Sequence, residues 1–189
     1  MLHIHDHGIE ISLAHRKMNA EDLQYITTFC CDDNPLLQDF IRDENIQSRE
    51  HVPYVFVNRE NNDIVGFYTI NCSSIIVTES DITHQDKYKT IYPAIEISHF
   101  AIDKKYRHIN LTHISSKYQT LSHLMFMCAM YEITQIAKNI INASYIILYS
   151  TPEAINFYKN CGMCEYDKRY MIDELPNLKS CVPMYKQIL

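Results

Sequence analysis

The stretch AIEISHFAID, residues 94–103, reads as a strand for the middle of a sheet, yet it carries a carboxylate at Glu96. An unpaired charge is expensive to bury, so Glu96 needs a reason. On a strand, Glu96, Ser98 and Phe100 share one face, while Ile95, Ile97, His99 and Ala101 share the other. Glu96 can then point into a cleft while its neighbours pack into the core. A partly desolvated glutamate suits a general base working near neutral pH. The plainer alternative is a carboxylate paired with an Arg or Lys, or hydrogen-bonded to a Tyr. Two further clusters could do chemistry. HIHDH (3–7) puts His3, His5 and His7 on one strand face, a spacing that could hold zinc or nickel. Histidines near a chain terminus are more often solvated. CGMC (161–164) is a lone cysteine pair with no second pair at zinc spacing. Gly162 and Met163 belong to a helix-to-strand turn there, so Cys161 and Cys164 read as small packing residues. Cys30 and Cys31, on opposite sides of a helix end, carry no motif. No metal is expected.

The elements that must position these residues come from an ordinary globular composition: 189 residues, 47% hydrophobic and 21% charged. That length argues for a single domain over 1–189. No apolar run reaches the length of a membrane span, and the first residues lack a basic segment followed by an apolar one, so no signal peptide is read. Seven cysteines in that setting read as reduced thiols of a cytoplasmic protein. The formal charge of -6 argues against a nucleic acid as the main partner, since phosphate binding needs a concentrated basic surface. The three glycines, Gly8, Gly66 and Gly162, exclude a glycine-rich phosphate loop of the usual kind.

IEISLAH (9–15) alternates and predicts a first strand. Asn19 predicts an N-cap for a helix through AEDLQYITTFC, with Glu21 and Asp22 in its first turn. A second helix is expected over 34–50, with Pro35 at its start. PYVFVN and DIVGFYTINCSSIIV flank the polar turn RENND and predict a hairpin. Residues 79–92 predict a short helix or loop. After strand 94–103 comes a polar irregular stretch, 104–120, then an apolar helix over 121–140 whose CAMYEITQIA segment is core. A strand follows at 143–150. A short helix over 151–163 has Thr151 as N-cap, Pro152 at its first position and Gly162 as its stop. Strands near 165–173 and 181–188 finish a mixed α/β order.

This order and three of its segments, DIVGFYTI, EISHFAID and EAINFYKNCGM, resemble the GNAT superfamily of acetyl-CoA-dependent N-acetyltransferases over nearly the whole chain. The resemblance implies a central mixed sheet of six to seven strands flanked by about four helices. It also implies that strands 94–103 and 143–150 splay apart at their ends. Backbone groups freed in this way need partners, and the amides of the coenzyme's pantetheine arm supply them. Phe100, Ala101 and Ile102 would offer that backbone. The pyrophosphate would sit at the N-terminus of the following helix. In the histone-acetyltransferase branch a strand carries Glu-x-x-x-x-Ala-hydrophobic with the glutamate as base, and Glu96 lies five residues before Ala101. The tyrosine of the last helix, here Tyr158, would protonate the leaving thiolate; otherwise it is a core aromatic.

The chain departs from the family at the pyrophosphate loop, Gln/Arg-x-x-Gly-x-Gly/Ala. Arg107 fits, Asn110 stands where a glycine with positive φ is expected, and Thr112 replaces the small residue. Two threadings follow. Either the loop is 107–112 and a kinked helix begins near Thr112, or 104–120 bulges out and Thr120 to Ser122 cap the helix, with Lys117 near. Thr151 stands where the family often has an Asn touching the cofactor; Asn156 could replace that contact, though it reads more readily as a surface residue. The resemblance implies transfer of acetyl from acetyl-CoA to a primary amine of a small molecule or protein, and it leaves room for a homodimer. The acidic balance favours a cationic acceptor. A second reading is likeness to GNAT toxins of toxin–antitoxin pairs, which acetylate aminoacyl-tRNA. Those are typically basic and usually lack the strand glutamate. A third is a weakly CoA-binding interaction module.

Overall fold

The computed structural model describes residues 2–6, 9–31, 35–43, 51–80, 87–113, 115–166 and 180–188. Its strands form one mixed sheet in the order β1-β2-β3-β4-β5-β6-β8-β7. They are β1 (Leu2–Asp6), β2 (Ile9–Lys17), β3 (Val52–Asn58), β4 (Asp63–Ser80), β5 (Lys87–Ile102), β6 (Tyr145–Ser150), β7 (Cys164–Glu165) and β8 (Val182–Gln187). Among the described residues four α-helices accompany them: α1 (Leu23–Ile26), α2 (Pro35–Arg42), α3 (Leu121–Ile136) and α4 (Ile155–Asn160). The mixed α/β architecture is as expected. The sheet has eight strands because β1 pairs with β2 ahead of the first expected strand. The chain divides into two compact units, residues 1–70 with 98–129 and residues 71–97 with 130–189.

In the first unit β1, β2, β3 and the start of β4 are antiparallel neighbours. The β3–β4 turn needs a left-handed residue, and Asn62 supplies it at φ 60. Asn61 Oδ1 accepts from the Asp63 amide at 3.0 Å. Asn19 is the N-cap as expected, at the 3-10 turn Ala20–Asp22 that leads into α1, and the cap is a full capping box. Asn19 Oδ1 accepts from the Glu21 and Asp22 amides, and Asp22 accepts from the Asn19 amide at 2.8 Å. Arg16 grips the buried Asp22 with both terminal nitrogens at 2.5 Å. The helix beyond it is shorter than expected and ends at Ile26. The Thr27 and Thr28 hydroxyls donate back to the Gln24 and Tyr25 carbonyls, which competes with helix propagation. Pro35 opens α2 as read, and α2 ends at Arg42. The expected helix residues 44–50 lie outside the described residues. Ile26, Phe29, Ile41, Val55, Val57, Ile64, Phe67 and Ala101 make the core of this unit.

One approach within that unit is unusually close. β3 pairs Phe56 with Gly66 and Val57 with Ile64, so Val65 is an extra, bulged residue. A Cβ on Gly66 would lie 2.7 Å from the Ala101 carbonyl oxygen and 2.6 Å from Met125 Cε of α3. The Val65 carbonyl accepts from the Asp103 amide at 3.0 Å.

In the second unit β6 pairs parallel with β5 and antiparallel with β8, and β7 pairs with β8. The β5–β6 pairs run from Ala94 with Tyr145 to Ile97 with Leu148; β5 continues to Ile102 and β6 to Ser150. Where a short helix or loop was expected over 79–92, β4 reaches Ser80 and β5 begins at Lys87, while 81–86 lie outside the described residues. Within that stretch the β-branched and aromatic residues Tyr88, Thr90, Ile91 and Tyr92 favour extended chain over helix. The expected strand at 165–173 is seen only as β7, since 167–173 lie outside the described residues. The 121–140 helix is α through Ile136, then widens into a π turn over Ala137–Ile141 that stops at left-handed Asn142, φ 51. Gly162 ends α4 at φ 83, as expected.

Substituting Gly66 by Ala forces the Ala101 backbone or the bulge to move. It is expected to cost about 1–3 kcal/mol in urea unfolding. An unchanged midpoint would show that the approach is not rigid.

Candidate functional site

Glu96 lies on β5 and is half-buried. The Ser73 hydroxyl donates to its Oε2 at 3.2 Å. Two phenols share its surroundings. Tyr166 donates to Tyr149, and burial, followed by lesser contributions that include the charge of Glu96, pushes both phenols above their ordinary range. The carboxylate therefore has a hydroxyl partner and raises the cost of ionising its tyrosine neighbours. Neither Ser73 nor these tyrosines emerged from sequence reasoning. The available signal was period-two alternation, which places them across the strands on one face.

Tyr158 sits on α4, its ring meeting Phe157 edge-on at 5.1 Å. It keeps some surface exposure, but burial, then the Cys161 thiol, pushes its pKa well above the ordinary phenol value. The phenol therefore stays protonated throughout the working pH range. A group that must donate a proton needs that state. The buried Cys161 thiol is itself pushed up to about 12 by burial. It packs as expected, whereas Cys164 is exposed and does not, because the short β7 turns it to solvent. Thr151 is exposed at the N-cap position but makes no side-chain cap; Pro152 follows it, and the first turn is 3-10 rather than α. The Ser150 hydroxyl donates to its carbonyl at 2.8 Å. Asn156 is exposed, as read.

The first unit holds the other predicted residues. Phe100 packs edge-on against Phe126 of α3 at 5.1 Å, and Ala101 and Ile102 are buried. After β5, Asp103 acts as an anchor. Its carboxylate accepts from the Cys30 amide at 2.7 Å and the Lys105 amide at 2.8 Å. Sequence reasoning missed this residue, which nothing but its place at a strand end marks. Arg107 turns inward and donates to the Ile102 carbonyl at 3.3 Å and to Cys31 Sγ at 3.6 Å.

The loop follows the second of the two threadings. α3 begins at Leu121, and Thr120 caps it by accepting from the His123 amide at 3.2 Å. Ser122 Oγ donates to the Arg107 carbonyl at 3.3 Å. Asn110 bridges Thr120, the Leu111 amide donates to the Gln119 carbonyl, and the Leu121 amide donates to the Ile109 carbonyl. The segment between is thereby closed off as a bulge. Asn110 does not take the positive φ expected of a glycine substitute, since among the described residues only Asn62, Asn142 and Gly162 do. Its Oδ1 accepts from the Thr112 amide at 2.8 Å, an Asx turn that serves the bulge instead. Thr112 and Lys117 are exposed, and Lys117 lies 5.2 Å over the Tyr118 ring.

His99 is another titratable side chain on β5. Thr69 Oγ1 shares a hydrogen bond with its Nδ1 at 2.8 Å, and Phe40 stacks on its ring at 3.9 Å. Burial, then the charge of His51, pulls its pKa from 6.5 down to about 4. The His3 and His5 side chains and His7 lie outside the described residues. Among the described residues no His, Cys, Asp and Glu group could hold a metal. No helix of the described residues is long and apolar enough to cross a membrane.

No family model and no curated protein matches this sequence. Solved structures do. A bacterial toxin superposes with TM-score 0.66 at 16% identity, over 94% of this chain and 92% of that one. A tyrosine-to-phenylalanine mutant of the toxin AtaT gives 0.66 at 13%, over 93% and 89%. AtaT complexed with acetyl-methionyl-tRNAfMet gives 0.61 at 14%, over 93% and 95%. The chain has the GNAT fold, which it shares with these solved toxin structures.

His99 provides a pH test of its surroundings. Its folded pKa lies below the unfolded value of 6.5, so its contribution is present above pH 6.5 and is lost as pH falls through about 4. Wild-type protein should lose on the order of 2 kcal/mol over that window, after discounting for partial solvent screening. His99→Asn should flatten that part of the profile, and an unaltered slope in the variant would contradict the assignment.

Proposed function

We propose that this chain is an acetyl-CoA-dependent N-acetyltransferase acting on a primary amine. The observation that carries the reading is Glu96, a half-buried carboxylate on a central strand of a GNAT fold, with a hydroxyl donor on one oxygen. An amine can attack a thioester only as the free base, so removing the ammonium proton is the first chemical requirement. Glu96 takes that proton. The amine then adds to the thioester carbonyl, the carbon–sulfur bond breaks, Tyr158 protonates the departing thiolate, and the second proton lost from the amine nitrogen restores the phenol. The Tyr158 phenol is protonated at neutral pH, so its proton is in place whenever acetyl-CoA arrives.

For the co-substrate, backbone from Phe100 to Ile102 would meet pantetheine. The first turn of α3, after Thr120, would meet the pyrophosphate, where free amides and the helix dipole favour an anion. The hydroxyls of Thr120 and Ser122 already serve the protein, so backbone amides rather than side chains would carry the phosphate. Arg107, bonded to the Ile102 carbonyl, braces the strand end rather than reaching for phosphate. Asn110, Thr112 and Thr151 have supporting roles at most.

A second reading concerns the acceptor alone. AtaT, a fold neighbour, is seen with acetyl-methionyl-tRNAfMet, and AtaTR is seen bound with acetyl-CoA. An aminoacyl-tRNA presents the same chemistry, a primary amine. That acceptor requires growth arrest on expression and tRNA binding that weakens steeply with salt; harmless expression would remove it.

Glu96→Gln keeps size and hydrogen bonding but accepts no proton. Turnover at neutral pH is expected to fall roughly 100-fold or more and to recover at high pH, where the amine deprotonates unaided. Tyr158→Phe should spare acetyl-CoA binding and lower turnover across the neutral range. A Glu96→Gln enzyme with the wild-type pH–rate profile would make Glu96 structural.

A further inference from the structure

The bulge between β5 and α3 carries side chains that the reaction above does not use. Its neck is a short ladder. Asn110 bridges Thr120, and the Leu111 and Leu121 amides donate to the Gln119 and Ile109 carbonyls at 2.9 and 3.0 Å. Ile109 and Leu111 are buried and anchor the neck in the core. Within the bulge the Ser115 amide donates to the Leu111 carbonyl at 2.8 Å. Ser115 Oγ accepts from the Lys117 and Tyr118 amides, each at 3.1 Å. The backbone that presents Lys117 and Tyr118 is therefore tied down at several points.

Three kinds of group meet there, all in the first unit. Tyr118 is half-buried, and its ring stands at 89° to the His123 imidazole, 5.6 Å between centroids. His123 belongs to the first turn of α3. The exposed Lys117 holds its ammonium 5.2 Å from the centre of the Tyr118 ring. Two flat rings at a right angle make a corner, with a cation beside it. The surrounding sequence is biased in charge. Between Asp103 and Glu132 it has no acidic residue, and Lys104, Lys105, Arg107 and Lys117 are basic. Lys105 is paired with Asp63 at 2.6 Å, and Arg107 turns in to the Ile102 carbonyl. Lys117 stands instead beside the two rings.

A ring corner with an ammonium suits a flat heterocycle that carries a phosphate monoester. Bases stack on aromatic side chains whatever their identity, and a lysine meets phosphate as a point charge. Coenzyme A has such an end. Its ribose carries the adenine, the 3′-phosphate and, through the 5′ oxygen, the pyrophosphate. With the pyrophosphate at the start of α3, the adenine and the 3′-phosphate lie only a few bonds away.

We propose that the bulge binds the 3′-phosphoadenosine end of the co-substrate, with Lys117 on the 3′-phosphate and Tyr118 and His123 against the adenine. The proposal rests on the acetyltransferase reading and assigns co-substrate specificity to a segment away from the reacting atoms.

Calorimetric titration of the full chain with acetyl-CoA and with acetyl-dephospho-CoA, which lacks only the 3′-phosphate, tests this. Wild type is expected to bind acetyl-CoA about fivefold more tightly, a preference that shrinks as salt rises. Lys117→Ala should weaken acetyl-CoA by that factor and leave the dephospho compound unchanged, which removes the preference. Tyr118→Ala should weaken both about tenfold, and Tyr118→Phe, which keeps the ring, should bind both as wild type does. Should Tyr118→Ala unfold early in a thermal melt, His123→Ala removes the other wall and is read in the same way. If wild type binds neither compound, the acetyltransferase reading fails and this proposal with it. If wild type binds both equally, or Lys117→Ala keeps the wild-type preference, the proposal falls and the transferase reading stands. Binding of an RNA minihelix that Lys117→Ala weakens, with the two acetyl compounds bound alike, would overturn the proposal in favour of a nucleic-acid phosphate.

Discussion

At Gly66 the chain spends one of its three glycines on a contact that no side chain would permit. The Ala101 carbonyl and Met125 both reach the space that a Cβ would fill. Three elements are fixed at once: the bulged β4, the end of β5 and the N-terminal half of α3. The neighbouring bond from the Asp103 amide to Val65 and the Asp103 carboxylate's grip on the Cys30 and Lys105 amides then set where the chain leaves β5. The position of the α3 N-terminus, and therefore any anion site there, follows from this packing rather than from a flexible phosphate loop. This explains how the chain dispenses with loop glycines. Its turn is built from backbone bridges and an Asx turn at Asn110, which need no positive φ.

The same economy appears around Glu96. A carboxylate in a central strand is tolerable when a hydroxyl satisfies it and the face around it is only half-buried. Ser73 supplies the hydroxyl. The cost is passed on to Tyr149 and Tyr166, which are held protonated partly by that charge and mainly by burial.

Much of this was legible from local rules. The Asn19 cap, Pro35, the β3–β4 hairpin, the Gly162 stop and the strand around Glu96 are written in residue type and spacing, and each holds. What was not legible depends on tertiary competition. The helix after Asn19 stops early because two threonine hydroxyls bond backwards. Asn110 looked like a glycine substitute but is a bridge residue, because Leu111 and Gln119 close the bulge around it. Asp103 and Ser73 are single polar residues whose importance lies in partners far away in sequence. The roles of Glu96 and Tyr158 are proposals that rest on resemblance.

Calorimetric titration of the full chain with acetyl-CoA, paired with thermal unfolding, tests the central claim most directly. The account predicts one-to-one binding in the micromolar-to-millimolar range and a melting temperature that rises with ligand concentration. No heat and no thermal shift at millimolar acetyl-CoA would contradict it, and would leave a GNAT fold doing something other than acetyl transfer.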